Sequence, residues 1–196
     1  QVEEPPIIAM VATGRAGTKI FQSFLDDHDQ LLMVPAYPLM YLYPHWDTWS
    51  EQHGTGFTWE LAVDLFCEKH ASVLNSRKVP GLSGLDRLGS QHDQHIEIDE
   101  ELFRTALTTM LDDVPVLRRT FLLAVHYAYA ICKGWNLDSG RTLFYHLHDP
   151  TFLEGLADDF PNLSVWTMVR EPKASLASTF RAFGIVDQEK LNPTDS

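Results

Sequence analysis

The chain has 196 residues, 44% of them apolar, which is enough for one domain with a packed core. Its 27 acidic side chains outnumber 15 basic ones, and the formal charge of -12 excludes a broad basic surface for nucleic acid and confines any anion site to a local cluster. Cys67 and Cys132 lie far apart with no C-x-x-C pair, so neither a disulfide scaffold nor a cysteine zinc site fits, and a reducing, cytoplasmic setting is expected.

No apolar run approaches the ~18 residues of a membrane span. The opening Gln1 to Pro6 is acidic and polar, unlike a signal peptide, and lacks an initiating Met, which leaves open a leader or anchor removed upstream. Ile7 to Ala12 is a continuous apolar run closed by Thr13-Gly14, the pattern of a strand buried on both faces. A turn and a helix follow, with Ile20, Phe21, Phe24 and Leu25 expected on the buried face and Gln22, Ser23, Asp26 and Asp27 on the other. Leu31 to Val34 reads as a second strand. Residues 35 to 57, rich in aromatics, Pro and His, show no clean period and are expected to form ordered loops and short helical turns.

Helical spacing returns from Trp59 to about Leu74 and breaks over the polar stretch Asn75 to His95. Asp99 is the expected N-cap of a helix burying Leu102, Phe103, Ala106, Leu107, Met110 and Leu111, and Pro115 ends that segment. Arg118 to Cys132 is apolar almost all round and is expected at the centre of its layer. Thr142 to Tyr145 then reads as a strand, Asp149-Pro150 as the start of a helix carrying Phe152, Leu153 and Leu156, and Leu163 to Val169 as a further strand. A last helix opens at Glu171-Pro172, with Leu176, Phe180 and Phe183 on one face and Gly184 as its stop. The expected organisation is a single α/β domain over 1–196, with a central parallel sheet built from both ends of the chain and a helical insertion over 58–134.

Two segments carry the chemistry of anion binding. Thr13-Gly14-Arg15-Ala16-Gly17-Thr18-Lys19 joins a buried strand to a helix: glycines permit close backbone approach, the first helical N–H groups lack internal partners, and the helix dipole, Arg15, Lys19 and the Thr18 hydroxyl favour an anion. The glycine spacing is not that of a Walker A loop, and such turns also occur without a ligand. In the second segment, Arg170 stands at the carboxyl end of a strand, where open α/β sheets place ligands, and Ser178 follows two turns into the next helix. Taken singly, an arginine paired with Glu171 and a solvated serine explain it better.

Together the strand followed by G-R-A-G-T and the later strand followed by R-x-P-x-x-x-x-x-S resemble the 5′-phosphosulfate loop and the 3′-phosphate motif of sulfotransferases that use 3′-phosphoadenosine 5′-phosphosulfate (PAPS). The eight-residue interval from Arg170 to Ser178 is that family's, and Phe160-Pro161-Asn162-Leu163 is similar to the segment preceding the second motif in bacterial members. The resemblance covers roughly 7–34 and 142–184 and implies a P-loop-like three-layer fold. It implies that Arg15, Ala16, Gly17, Thr18 and Lys19 hold the 5′ end of the nucleotide, that Arg170 and Ser178 hold the 3′-phosphate, and that adenosine 3′,5′-bisphosphate (PAP) is the product, with no metal. Family members also carry a glycine-rich basic segment well downstream of the second motif; the sequence ends at Ser196, so that segment is expected to be truncated or lacking.

Between the motifs lies His146-Leu147-His148-Asp149-Pro150. One branch of the family reads Lys-x-His-x-Pro there, which implies His148 as the general base and puts His146 in the lysine's place, beside the transferred group. A histidine suits the base because its ordinary pKa lies near neutrality; by itself the pair fits a helix cap and a strand residue equally well. Other branches use a glutamate after the first β-α-β unit. Here Val34-Pro35-Ala36 occupies that place, leaving Asp47 and Glu51 as substitutes. His92 and His95 fall in a polar loop with no partner motif for a metal. Tyr37, Tyr41, Tyr43, Trp46 and Trp49 fit either core packing or the wall of an acceptor pocket. The expected activity is sulfuryl transfer from PAPS to a hydroxyl or amine of an acceptor that the sequence does not identify. The rivals are a P-loop nucleotide kinase or NTPase, which would need Mg²⁺ ligands, and a catalytically silent domain of the same fold that binds nucleotide or a partner.

Overall fold

The computed structural model describes residues 5–12, 16–34, 39–78, 90–137 and 140–182. Four strands, β1 (Ile7–Val11), β2 (Leu31–Met33), β3 (Thr142–Leu147) and β4 (Ser164–Thr167), form a parallel sheet in the order β2-β3-β1-β4. Ile7 stands against Leu143 and Val11 against Leu147, so β1 and β3 end level with each other. Strand alternation divides their side chains cleanly. Ile7, Ala9, Val11, Leu143, Tyr145 and Leu147 face one side and join the main core, whereas Met10 and Phe144 face the other and join Met33 beneath α1 (Thr18–Leu25).

The main core is the helical segment between β2 and β3: α2 (Leu42–His53), α3 (Trp59–Lys69), α4 (Ala71–Leu74), α5 (Glu100–Leu111) and α6 (Arg118–Cys132). As expected for a helix apolar nearly all round, α6 is central, packing against α5 and β2. Phe66, Phe103 and Phe121 are fully buried, with ring centroids 5.9 Å apart for Phe66–Phe103 and 5.6 Å for Phe66–Phe121. Burial of each such ring contributes about 3 kcal/mol. The Asp99 carboxylate accepts from Leu102 N at 3.0 Å, the cap foreseen for α5.

The helical segment begins at Leu42 rather than 58, and α2 replaces the loops expected there. Leu42, Tyr43, Trp46 and Trp49 supply a helical stripe, and Pro44 is tolerated because it falls in the first turn, where its missing N–H has no partner to lose. A second difference concerns α1. Its sheet-facing residues are Phe21, Gln22 and Leu25, while Ile20 and Phe24 are 67% and 77% exposed. Ile20/Phe24 and Phe21/Leu25 are both i,i+4 apolar pairs about 100° apart on the helix, and apolarity alone does not decide which faces the sheet. Gln22 donates weakly to Met10 Sδ at 3.9 Å.

After β3, a single 3₁₀ turn (Pro150–Phe152) leads into α7 (Leu153–Asp159). β4 is shorter than expected and its four residues are all exposed; the following α8 (Pro172–Ala182) leaves Leu176 and Phe180 exposed instead of packing them. Phe183 and Gly184 lie outside the described residues, as does the polar stretch 79–89. No helix among the described residues is long and apolar enough to cross a membrane.

Candidate functional site

The connection leaving β1 runs toward β2 on one flank, and the connection leaving β3 runs toward β4 on the other. The level carboxyl ends of these neighbours therefore mark the switch point at which open α/β sheets hold ligands. A crevice of about 280 Å³ lies at that edge, bounded by Val11 and Ala12 at the end of β1, Ala16 before α1, Thr167 to Arg170 at the end of β4, and Ser175 of α8.

Gly17 is the N-cap of α1, at φ +95°, with no side-chain cap and no acidic residue in the helix's first turn. A Cβ at Gly17 would meet only Met168 Cε, at 3.7 Å, so conformation rather than space demands glycine there. The carbonyl of Gly17 accepts from Ile20 N at 3.1 Å and Phe21 N at 3.2 Å, closing the first turn. Thr18 is half-buried and Lys19 exposed in that turn; Thr13, Gly14 and Arg15 lie outside the described residues. The N-terminus of α8 differs. Glu171 caps it, accepting from Ala174 N at 2.7 Å through its carboxylate and from Ser175 N at 3.0 Å through its carbonyl.

Arg170 is exposed and lines the crevice. So does Ser175, which the sequence reading missed. Ser178 is half-buried one turn further along α8, three residues on and hence on the same side of the helix. A signal for Ser175 existed in its position: it falls in the first turn of a helix that starts at the ligand-bearing edge.

His146 is the penultimate residue of β3 and only 5% exposed, and its Nε2 has no hydrogen-bond partner. Burial, then the neighbouring His148, holds its pKa down to about 4, so at neutral pH the ring is uncharged. His148 lies just past the strand, half-buried, with its ring 6.0 Å from His146 and 5.6 Å from Tyr41, both edge-on. Asp149 is held below the usual carboxylate range because it accepts from Thr151 Oγ1 and N, at 2.7 and 2.9 Å.

The remaining candidates separate from this edge. Trp46 and Trp49 are core residues, Trp46 packed edge-on against Phe57 and tilted against Phe121 with centroids 4.9 and 5.1 Å away, so neither lines an acceptor pocket. Tyr41 is exposed and packs edge-on against His148; Tyr37 lies outside the described residues. Asp47 is bonded to Arg118 at 2.7 Å, and Glu51 is exposed on α2. His95 contacts Glu97 at 3.1 Å, and among the described residues no three His, Cys, Asp or Glu side chains gather as metal ligands.

No known family, no curated protein and no solved structure matches the chain.

One consequence of the buried histidines concerns stability. His126 on α6 is fully buried, its Nδ1–H donates to Leu122 O at 2.8 Å, and burial keeps its pKa down to about 4, as with His146. Both titrate near 6.5 when unfolded, so below that pH the unfolded chain binds more protons and is favoured. Their contribution is whole above pH ~6.5 and is lost as pH falls toward ~4, by up to ~3 kcal/mol for each ring. Urea midpoints should fall steadily from pH 7 to 4.5, and His126→Leu should flatten that decline. A midpoint independent of pH across this window would contradict it.

Proposed function

We propose that the chain is a PAPS-dependent sulfotransferase with a P-loop-like sheet. The observation that carries the reading is the crevice itself: Ala16, immediately before the N-cap of α1, bounds one side of it and Arg170 with Ser175 bounds another, at the switch point of a parallel sheet. Two anion-binding features facing one crevice fit a nucleotide that carries phosphate at both its 5′ and 3′ ends. The 5′-phosphosulfate would lie against the turn of Ala16, Gly17, Thr18 and Lys19, together with Arg15. The 3′-phosphate would meet Arg170, with Ser178 or Ser175 donating a hydroxyl.

Transfer of the sulfuryl group is a displacement at sulfur. The acceptor oxygen or nitrogen forms the new S–O or S–N bond as the bond to the phosphate oxygen breaks, the acceptor proton passes to His148, and PAP leaves. Catalysis of this kind comes chiefly from positioning and charge stabilisation, which Arg15, Lys19 and the first turn of α1 would supply at the leaving oxygen. His148 stands at the mouth of β3 with Tyr41 beside it, on the side from which an acceptor would enter.

Calorimetry with PAP, ATP and ADP, with and without Mg²⁺, tests the reading. Metal-independent preference for PAP is expected. A Mg²⁺-dependent preference for ATP would favour a kinase or NTPase, and no binding at all would favour a silent domain. Arg170→Ala should weaken PAP by ~2–4 kcal/mol, because it removes a charge-assisted contact, and Ser175→Ala or Ser178→Ala by ~1 kcal/mol, whichever serine donates. Equal affinity for PAP and adenosine 5′-phosphate in the unmutated protein would show that no 3′-phosphate site exists.

A further inference from the structure

Two further histidines meet each other in the helical layer. His45 is half-buried on α2, one turn after Tyr41, and His70, 1% exposed, forms the corner between α3 and α4. His45 Nδ1 stands 3.0 Å from His70 Nε2. Two imidazole nitrogens cannot face each other at that distance with both lone pairs bare or with both protonated, so one hydrogen lies between them. Whichever ring donates it, the other accepts, and the tautomers of the two rings are tied together. One additional proton turns the bridge into an imidazolium–imidazole bond, which is charge-assisted and stronger. A second would break the bond and set two like charges side by side.

The rings in contact with this pair continue to the edge of the sheet. Trp49 stacks on His45 with centroids 5.7 Å apart, and Phe66 stacks on His70 at 4.9 Å, so each imidazole has an aromatic face against which to hold a charge. His45 also meets Tyr41 at 6.3 Å, and Tyr41 meets His148 at 5.6 Å. A continuous row of rings thus runs from the α3–α4 corner through α2 to the exit of β3. The Tyr41 carbonyl accepts from His45 N at 3.1 Å, which fixes these two residues one helical turn apart on the same side of α2. Lys69, at the end of α3, is the charged group that acts on His45 and, after burial, opposes its protonation. Tyr41 and His70 are the titratable groups in ring contact with it.

We propose that His45 and His70 act as one unit, taking up a single proton beyond the hydrogen they share, and that this unit positions Tyr41 and, through it, the imidazole of His148. The importance of His148 as a base rests on the sulfotransferase reading; the row of contacts does not. His45 and His70 are therefore positioning residues. The bridge to His70 holds the His45 ring in one orientation, the His45 ring limits that of Tyr41, and Tyr41 limits that of His148.

The test is long-range ¹H–¹⁵N correlation spectroscopy of the histidine rings in the whole chain, without any ligand, as pH is lowered from 8.5 until the fold is lost. In the unmutated protein the ring nitrogens of His45 and His70 should move together through one midpoint, with a total uptake of no more than one proton while folded. Two independent midpoints with an uptake of two protons would overturn the shared proton. The variants are placed at His45, which is half-buried, rather than at enclosed His70. His45→Gln can still bond His70 Nε2, whereas His45→Leu fills the space without bonding it. The ring-proton shifts of His148, which the Tyr41 ring current displaces, should stay close to the unmutated values in His45→Gln and move toward those of Tyr41→Ala in His45→Leu. If His45→Leu fails to fold, His45→Ala takes its place. His148 shifts unchanged without the bridge, or changed equally in both variants, would overturn the positioning role. None of these readouts involves nucleotide, so the two readings fail separately. A pair that behaves as expected in a protein that binds no PAP overturns the sulfotransferase reading alone, and metal-independent PAP binding with two independent histidines overturns the pair alone.

Discussion

Arg118→Leu is expected to lower the unfolding free energy by ~3 kcal/mol, the largest loss from any single charged side chain among those described. Its guanidinium, 18% exposed, bonds Asp159 at 2.8 Å through Nε, Asp47 at 2.7 Å through Nη1 and the Gly155 carbonyl at 3.2 Å through Nη2, and lies 4.3 Å over the ring of Tyr43. Tyr43 in turn donates to Asp159 at 2.9 Å. One side chain thus ties α2, α6 and α7 together. Its removal strands the Asp159 carboxylate, which is three-quarters buried, in surroundings that no longer compensate it. The Asp47 arm is more exposed and screened, so Asp47→Asn should cost under ~1 kcal/mol. Arg118→Lys should rescue little, because a single ammonium cannot reproduce three directed contacts and the stacking. Urea denaturation decides the matter: a loss below ~1 kcal/mol for Arg118→Leu would mean that the cluster is incidental.

The same cluster holds Asp47, the acid that the sequence offered in reserve as a base, in an ion pair with Arg118 instead of at the strand ends.

Much of this architecture was legible in the sequence because the responsible signals are local. Apolar runs bounded by glycine or proline located β1, β2 and β3. Asp99 three residues before Leu102 located the start of α5, and the all-round apolarity of Arg118 to Cys132 placed α6 at the centre. What escaped was set by tertiary contact. In α1, two equivalent apolar pairs compete for the sheet, and the choice that leaves Ile20 and Phe24 outside follows from how the Gly17 turn launches the helix. In α2, aromatic side chains at helical spacing were obscured by Pro44, His45 and Asp47, residues more usual in turns. Of the candidate site, the motif spacing brought Ala16 and Arg170 to one crevice. Ser175 went unnoticed because its place at the crevice depends on where α8 begins. The burial of His146 was likewise invisible, since a histidine two residues from the end of a strand reads the same whether solvated or enclosed.

His148→Ala should lower turnover by ~10²–10⁴ while leaving PAP affinity nearly unchanged, because removal of the acceptor proton matters only in the transition state. The geometry singles out this residue on three counts. It sits just past β3, at the carboxyl edge of the sheet; its ring is half-buried and packed edge-on against Tyr41 at 5.6 Å, which limits its rotation while leaving it reachable; and the other histidine of the pair is enclosed, only 5% exposed. The two imidazoles lie 6.0 Å apart, edge-on to each other. Tyr41→Phe should preserve most of the activity and Tyr41→Ala should lose part of it, since the ring contact rather than the hydroxyl holds His148. Single-turnover rates with an acceptor that the unmutated protein sulfates, alongside PAP titrations, separate the two effects. The acid limb of the pH–rate profile should disappear in His148→Ala. If that variant stays active with the limb unchanged, His148 is not the base, and because Asp47 is committed to Arg118, Glu51 on α2 becomes the residue to test.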